Sequence, residues 1–77
     1  MSVIVYSTTT CPWCVRVKDY LKSKNVVFRD VNVSEDREAA AEMISKSGQR
    51  GVPVVDIDGH IIIGFNQTEI DHYLNIK

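Results

Sequence analysis

Val3-Ile4-Val5-Tyr6-Ser7-Thr8-Thr9-Thr10-Cys11-Pro12-Trp13-Cys14-Val15-Arg16-Val17 is the stretch that decides the fold. Val3 to Tyr6 is apolar on both alternating faces, the pattern of a central strand covered on two sides. Pro12 fits the first position of a helix, where its missing N–H costs nothing, so Cys11 falls at the N-cap. From there Cys14, Val17 and Leu21 lie on one helical stripe, flanked by Trp13 and Tyr20, with Arg16, Asp19, Lys22 and Ser23 on the far side. The two cysteines, the only ones in the chain, are therefore not equivalent. Cys14 belongs to the buried stripe inside the first turn, and Cys11 to the exposed tip. A helix start offers unpartnered backbone N–H groups and a partial positive charge, both of which favour a thiolate over a thiol. Two cysteines with two residues between them can close a disulfide on one helical turn.

Working outward, Asn25 ends this helix, and Val26 to Val31 reads as a second strand, less uniformly apolar and so nearer a sheet edge. Ser34 is the predicted N-cap of a second helix, with Glu35, Asp36 and Glu38 complementing its dipole, Ala40, Met43 and Ile44 as its buried stripe, and Gly48 as its stop. Strands joined through a helix should be parallel, with a right-handed crossover. Val52 to Ile57 reads as a third strand, and Asp58-Gly59 is a two-residue hairpin turn into an antiparallel fourth, His60 to Ile63. Gly64-Phe65 breaks that strand. Asn66 with Glu69 resembles a capping box for a last helix that buries Ile70, Tyr73 and Leu74. The expected order is β-α-β-α-β-β-α, an α/β sandwich with a four-stranded mixed sheet, and residues 1–77 are expected to form a single domain.

Composition narrows the function classes. The 77 residues are 44% hydrophobic and 25% charged with a formal net charge of −1, an ordinary globular balance that attracts neither nucleic acid nor anionic membrane. A chain of this size buries only about 60% of its unfolded surface. The longest apolar runs are too short to span a bilayer, and no basic region precedes a long apolar stretch near the start, so a cytoplasmic location is expected. A disulfide between Cys11 and Cys14 closes a tiny loop and stabilises little by chain entropy, which argues against a structural staple. Zinc wants four ligands, and beyond the two thiols the chain offers only His60 and His72, which read as surface residues; no metal site is expected.

In a strand-helix-strand setting, the Cys11-to-Cys14 spacing reads as a thioredoxin-like redox motif. That motif, the element order and Val52-Pro53 at the opening of the third strand together resemble a glutaredoxin of the thioredoxin fold, over essentially the whole chain. The resemblance implies a cis Val52-Pro53 bond facing the active-site disulfide, with Val52 presenting its backbone to the substrate. It also implies substrate contacts from Pro12, Trp13, Gly64 and Phe65. Position alone suggests the division of labour: exposed Cys11 attacks a disulfide as a thiolate, and Cys14, one turn inward, resolves the mixed disulfide.

The resemblance implies glutathione as the reductant, with no cofactor tightly bound, but four positions depart from the glutathione-binding pattern. Thr8 stands where a lysine is common, Gly51 where a threonine precedes Val-Pro, and Gly64-Phe65 where a Gly-Gly pair is usual; the acidic residue that follows is out of register, near Thr68 and Glu69. Gln49 or Arg50 is left to hold a carboxylate. Gly64-Phe65 is also similar to glutaredoxin-like redoxins recharged by a thioredoxin-reductase-type flavoprotein, so glutathione and such a flavoprotein stand as alternative electron donors. The expected partners are disulfide-bearing proteins, with the chain itself a monomer. An alternative implied by the family is an iron–sulfur cluster held by Cys11 and glutathione between two subunits; a metal-carrying domain using the same thiols is weaker still, for want of further ligands. Arg16, Lys18, Lys22 and Lys24 on the first helix, and Glu35, Asp36, Arg37 and Glu38 on the second, are expected to form solvated faces. Arg16 is the exception, near enough to the motif to stabilise a thiolate or steer an anionic partner. Tyr6 either lines the site or packs.

Overall fold

A computed structural model describes residues 2–75. Its elements are β1 (Val3–Ser7), α1 (Pro12–Ser23), β2 (Arg29–Asn32), α2 (Arg37–Ser47), β3 (Val54–Ile57), β4 (His60–Ile63) and α3 (Gln67–Leu74), in the order the sequence predicts. The four-stranded sheet runs β2-β1-β3-β4. β2 is parallel to β1, whereas β3 is antiparallel to β1 and β4 antiparallel to β3. This is a mixed α/β sandwich, with apolar β1 and β3 in the interior of the sheet and the more polar β2 at one edge.

The period of two along the strands sorts side chains into two layers. Val3, Val5, Val55, Ile57 and Ile62 face Val17 and Leu21 of α1 and Ile70 and Leu74 of α3. On the other face, Tyr6 and Val54 pack against Met43 of α2. The β3–β4 turn forms as expected. Asp58 (φ 51°) and Gly59 (φ 92°) are both left-handed, the geometry a two-residue hairpin of this twist demands. Asn66 caps α3, its side chain accepting from the Glu69 N–H at 3.1 Å.

Several boundaries differ from expectation, each for a local reason. Asp36, not Ser34, caps α2, accepting from the Ala39 N–H at 3.0 Å. Ser34 instead donates its own N–H to Asn32 at 2.9 Å, which folds the preceding turn and delays the helix. The buried stripe of α2 is Ala39 and Met43, four residues apart; Ala40 is half-buried and Ile44 exposed. Val26 to Phe28 precedes β2 rather than joining it. Asn25 turns left-handed and the Val26 N–H bonds back to the Leu21 carbonyl at 3.0 Å, so Val26 and Phe28 pack on the α1 face while Val27 is 89% exposed. Val52 and Pro53 likewise lie just ahead of β3, which begins at Val54.

Tyr6 packs rather than lining a site. Its hydroxyl donates to Glu42 at 3.1 Å and accepts from Lys46 at 2.9 Å, and Lys46 also pairs with the buried carboxylate of Asp56 at 2.8 Å. Asp56 keeps one further partner, the Gly59 N–H at 2.7 Å, so this cluster fastens α2 to the sheet and to the hairpin. Removing Lys46 leaves the Asp56 carboxylate under-partnered. Because the Lys46 side chain is 29% exposed, water can replace part of what is lost, and Lys46→Ala is expected to cost about 1–3 kcal/mol, below the range for a fully buried pair. Urea unfolding followed by circular dichroism checks this; an unchanged midpoint would contradict it.

Candidate active site

The site forms where the loop after β1 enters α1. Cys11 has extended backbone geometry (φ −105°, ψ 107°) and is the N-cap of α1, with Pro12 in the first turn. Its sulfur accepts from the Cys14 N–H at 3.1 Å, satisfying one of the donors a helix start leaves free. Its thiol is directed at the Val52 carbonyl, 3.8 Å away. Cys11 is half-buried and Cys14 fully buried, and both are free thiols. The asymmetry read from the helical stripe is thus present. Burial, reinforced by a hydrogen bond with the Cys11 side chain, pushes the Cys14 thiol up to about 11.

Across from the motif, the Val52-Pro53 bond is cis, and Pro53 is buried with its carbonyl accepting from the Gly64 N–H at 2.8 Å. Gly64 is left-handed (φ 77°), which lets the chain leave β4 and swing Phe65 toward α1. Phe65 packs on Tyr20 with ring centroids 5.5 Å apart. Trp13, Val52, Pro53, Gly64 and Phe65 together line a cleft of about 270 Å³. Trp13 is 55% exposed, and the Arg16 guanidinium lies over its ring at 4.7 Å from the centroid.

Gln49 and Arg50 are not among the residues lining this cleft. The Gln49 amide is spent on its own loop, donating to the Gly51 carbonyl at 3.0 Å and accepting from the Gly51 N–H at 2.6 Å. A Cβ at Gly51 would stand 2.7 Å from the Gln49 side-chain oxygen, so the absence of a larger residue there goes with this brace. His60 and His72 are exposed and lie against Tyr73, His60 stacked at 4.3 Å.

One group near the motif departs from the solvated face expected of the α1 cations. Lys18 is only 20% exposed in its side chain and pairs with Asp30 of β2 at 3.0 Å, and Asp30 also accepts from the buried Ser7 hydroxyl at 2.8 Å. Burial alone would raise Asp30, but the hydrogen bonds from Lys18 and Ser7 outweigh it and hold the carboxyl below its ordinary value. Its spacing four residues after Cys14 puts Lys18 on the same helical face, but nothing in the sequence names Asp30 as its partner.

Residues 3–62 match the family model for glutaredoxin. The chain belongs to the glutaredoxin family. It is 61% identical over 67 residues, 87% of this chain and 89% of the other, to an uncharacterized glutaredoxin-like 8.6 kDa protein in a rubredoxin operon of Clostridium pasteurianum. Among solved structures it is similar to a thioredoxin-like protein crystallised as a point mutant (TM-score 0.93, 33% identity, 99% of this chain and 97% of that one). It is also similar to the glutaredoxin-like NrdH-redoxin of Escherichia coli, described as having a thioredoxin-like activity profile (TM-score 0.83, 28% identity, 94% and 93% covered). The fold is thioredoxin-like, and the activity is that of a thiol-disulfide oxidoreductase. Among the described residues no helix is long and apolar enough to cross a membrane.

In this glutaredoxin the raised Cys14 value carries a linkage with a definite sign. The folded state holds the Cys14 proton up to about pH 11 while the unfolded chain releases it near pH 9, so above pH 9 the unfolded state binds fewer protons and stability falls with pH. The stabilising contribution is complete below pH 9 and lost through pH 11. Melting temperatures of the reduced protein should therefore drop more steeply across that window than those of Cys14→Ser. Parallel curves for the two proteins would contradict the buried-thiol assignment.

Proposed function

We propose that this protein is a dithiol electron carrier that reduces protein disulfides through Cys11 and Cys14 and is recharged by a thioredoxin-reductase-type flavoprotein in preference to glutathione. Cys11 thiolate attacks a substrate disulfide, forming a Cys11–substrate bond and expelling the other substrate sulfur as a thiolate. Cys14 then attacks Cys11, forming the intramolecular disulfide and releasing the second substrate thiol, so that two electrons pass from the dithiol to the substrate. Supporting this order is the geometry: one sulfur at the helix tip facing the Val52 carbonyl, the other buried a turn behind it. On this reading the Val52 backbone, beside the cis bond to Pro53, pairs with an extended substrate strand.

The choice of donor is supported by the cleft. Its lining of Trp13, Val52, Pro53, Gly64 and Phe65 contains no ionisable side chain, whereas glutathione presents carboxylates and an ammonium that need charged partners. Gln49, a candidate carboxylate ligand, is engaged with Gly51. Phe65 narrows the groove and favours an apolar side chain next to a substrate cysteine.

NADPH oxidation coupled to reduction of a protein disulfide tests this. With a thioredoxin-reductase-type flavoprotein the rate should exceed that with glutathione and its reductase by at least about tenfold, roughly the effect of one missing charge-assisted contact. Faster turnover with glutathione would overturn the donor assignment. Cys11→Ser should have no activity in either system, and Cys14→Ser should accumulate a mixed disulfide detectable by mass spectrometry; full dithiol activity in Cys11→Ser would overturn the catalytic assignment.

A further inference from the structure

We propose that Tyr20, which does not itself line the cleft, is a positioning residue for the substrate: its ring holds the Phe65 side chain in the orientation that walls the cleft beside Cys11, and so sets the preference for an apolar residue next to the substrate cysteine. This rests on the reading above that Phe65 faces the substrate. The cleft is lined by Phe65 with Trp13, Val52, Pro53 and Gly64, and Tyr20 is not among those residues. Val52 connects it to the reacting sulfur, since the Val52 carbonyl stands 3.8 Å from the Cys11 sulfur. Tyr20 therefore reaches a substrate only through Phe65.

The main chain around Phe65 is tied on both sides. Gly64 donates its N–H to the Pro53 carbonyl at 2.8 Å, and Asn66 is the N-cap of α3. What remains free is rotation of the Phe65 side chain among its staggered orientations. Tyr20 removes that freedom. Its ring meets the Phe65 ring at 5.5 Å between centroids, tilted by 52°, inside the separation at which aromatic pairs attract. Tyr20 is itself fixed by three contacts. It packs half-buried on the core shared by α1 and α3, its hydroxyl donates to the Asp71 carboxylate of α3, and the Lys24 ammonium lies over its ring at 5.7 Å from the centroid. A ring held by both helices thus backs the one aromatic wall of the cleft that follows β4.

Tyr20→Leu keeps an apolar side chain over the core and gives up one part-buried hydrogen bond, so it is expected to fold, as a melting curve will confirm. Tyr20→Ala, with the best helix former at this position of α1, is the second variant and carries the same expectation. Tyr20→Phe keeps the ring and its packing.

Two uncharged substrates test this: the symmetric disulfide of an acetylated, amidated tripeptide with leucine on either side of its cysteine, and the same disulfide with serine in both flanking places. Each turnover converts one peptide disulfide and the reduced protein into two peptide thiols and the Cys11–Cys14 disulfide, so no electron donor enters. Acid quenching and chromatography of the released peptide thiol give the two second-order rate constants. In the unaltered protein the leucine peptide should react about tenfold faster, the effect of a leucine side chain partly removed from water. In Tyr20→Leu the Phe65 ring regains about three orientations and walls the cleft about a third of the time, so the leucine peptide should slow about threefold with the serine peptide unchanged. Tyr20→Phe should keep the preference. Phe65→Ala should abolish it, and adding Tyr20→Leu to Phe65→Ala should change neither rate further. An undiminished preference in Tyr20→Leu, an equal slowing of both peptides, a Tyr20→Phe protein as unselective as Tyr20→Leu, or a further change in the double variant would overturn the role given to Tyr20. Failure of the underlying reading looks different: equal rates for the two peptides in the unaltered protein, or a full preference in Phe65→Ala, would show that Phe65 does not face the substrate, and the role of Tyr20 would fall with it.

Discussion

The hydrogen bond from the Cys14 backbone N–H to the Cys11 sulfur, 3.1 Å long, is the constraint on which the site depends. It makes Cys11 the N-cap of α1, a position usually taken by an oxygen-bearing side chain, and so places a reactive sulfur among the free donors of a helix start. Pro12 suits this arrangement because it has no N–H to satisfy. The same cap sets the register of everything behind it. With Cys11 outside the helix, Cys14 must fall on the stripe shared with Val17 and Leu21, and that stripe is buried against the sheet.

This register gives the two thiols opposite environments at hydrogen-bonding range, and the magnitudes explain why both are useful. A thiol held near 11 has about a hundredfold less thiolate at neutral pH than one two units lower, which under the proposed order disfavours Cys14 as the first sulfur to meet an outside disulfide. In the proposed order, once Cys11 carries the substrate, Cys14 attacks within the same molecule, where effective concentrations of about 10⁵ M or more become available to a well-oriented pair. Proximity outweighs the loss of thiolate by several orders of magnitude. Burial therefore costs little in the step where Cys14 is needed.

Much of this was legible in the residues. Element order, the Cys11 cap, the Cys14 stripe and the Asp58-Gly59 turn each rest on local geometry, which sequence spacing encodes directly. What the sequence did not show depended on partners far along the chain. Lys18 looks like any helix-surface cation until Asp30, twelve residues later, is brought beside it by the parallel pairing of β1 and β2. Gln49 looked free to bind a carboxylate until its loop folded back and consumed its amide. The start of α2 was misplaced because Ser34 and Asp36 are both competent caps, and the turn at Asn32 chose between them.

The most direct test of the account is competitive alkylation of the reduced protein at neutral pH with less than one equivalent of iodoacetamide, followed by tandem mass spectrometry to locate the adduct. The account predicts modification at Cys11, the sulfur at the helix mouth, with Cys14 left intact. Adducts mainly on Cys14, or shared equally between the two, would contradict the inequality of the two sulfurs from which the rest was argued.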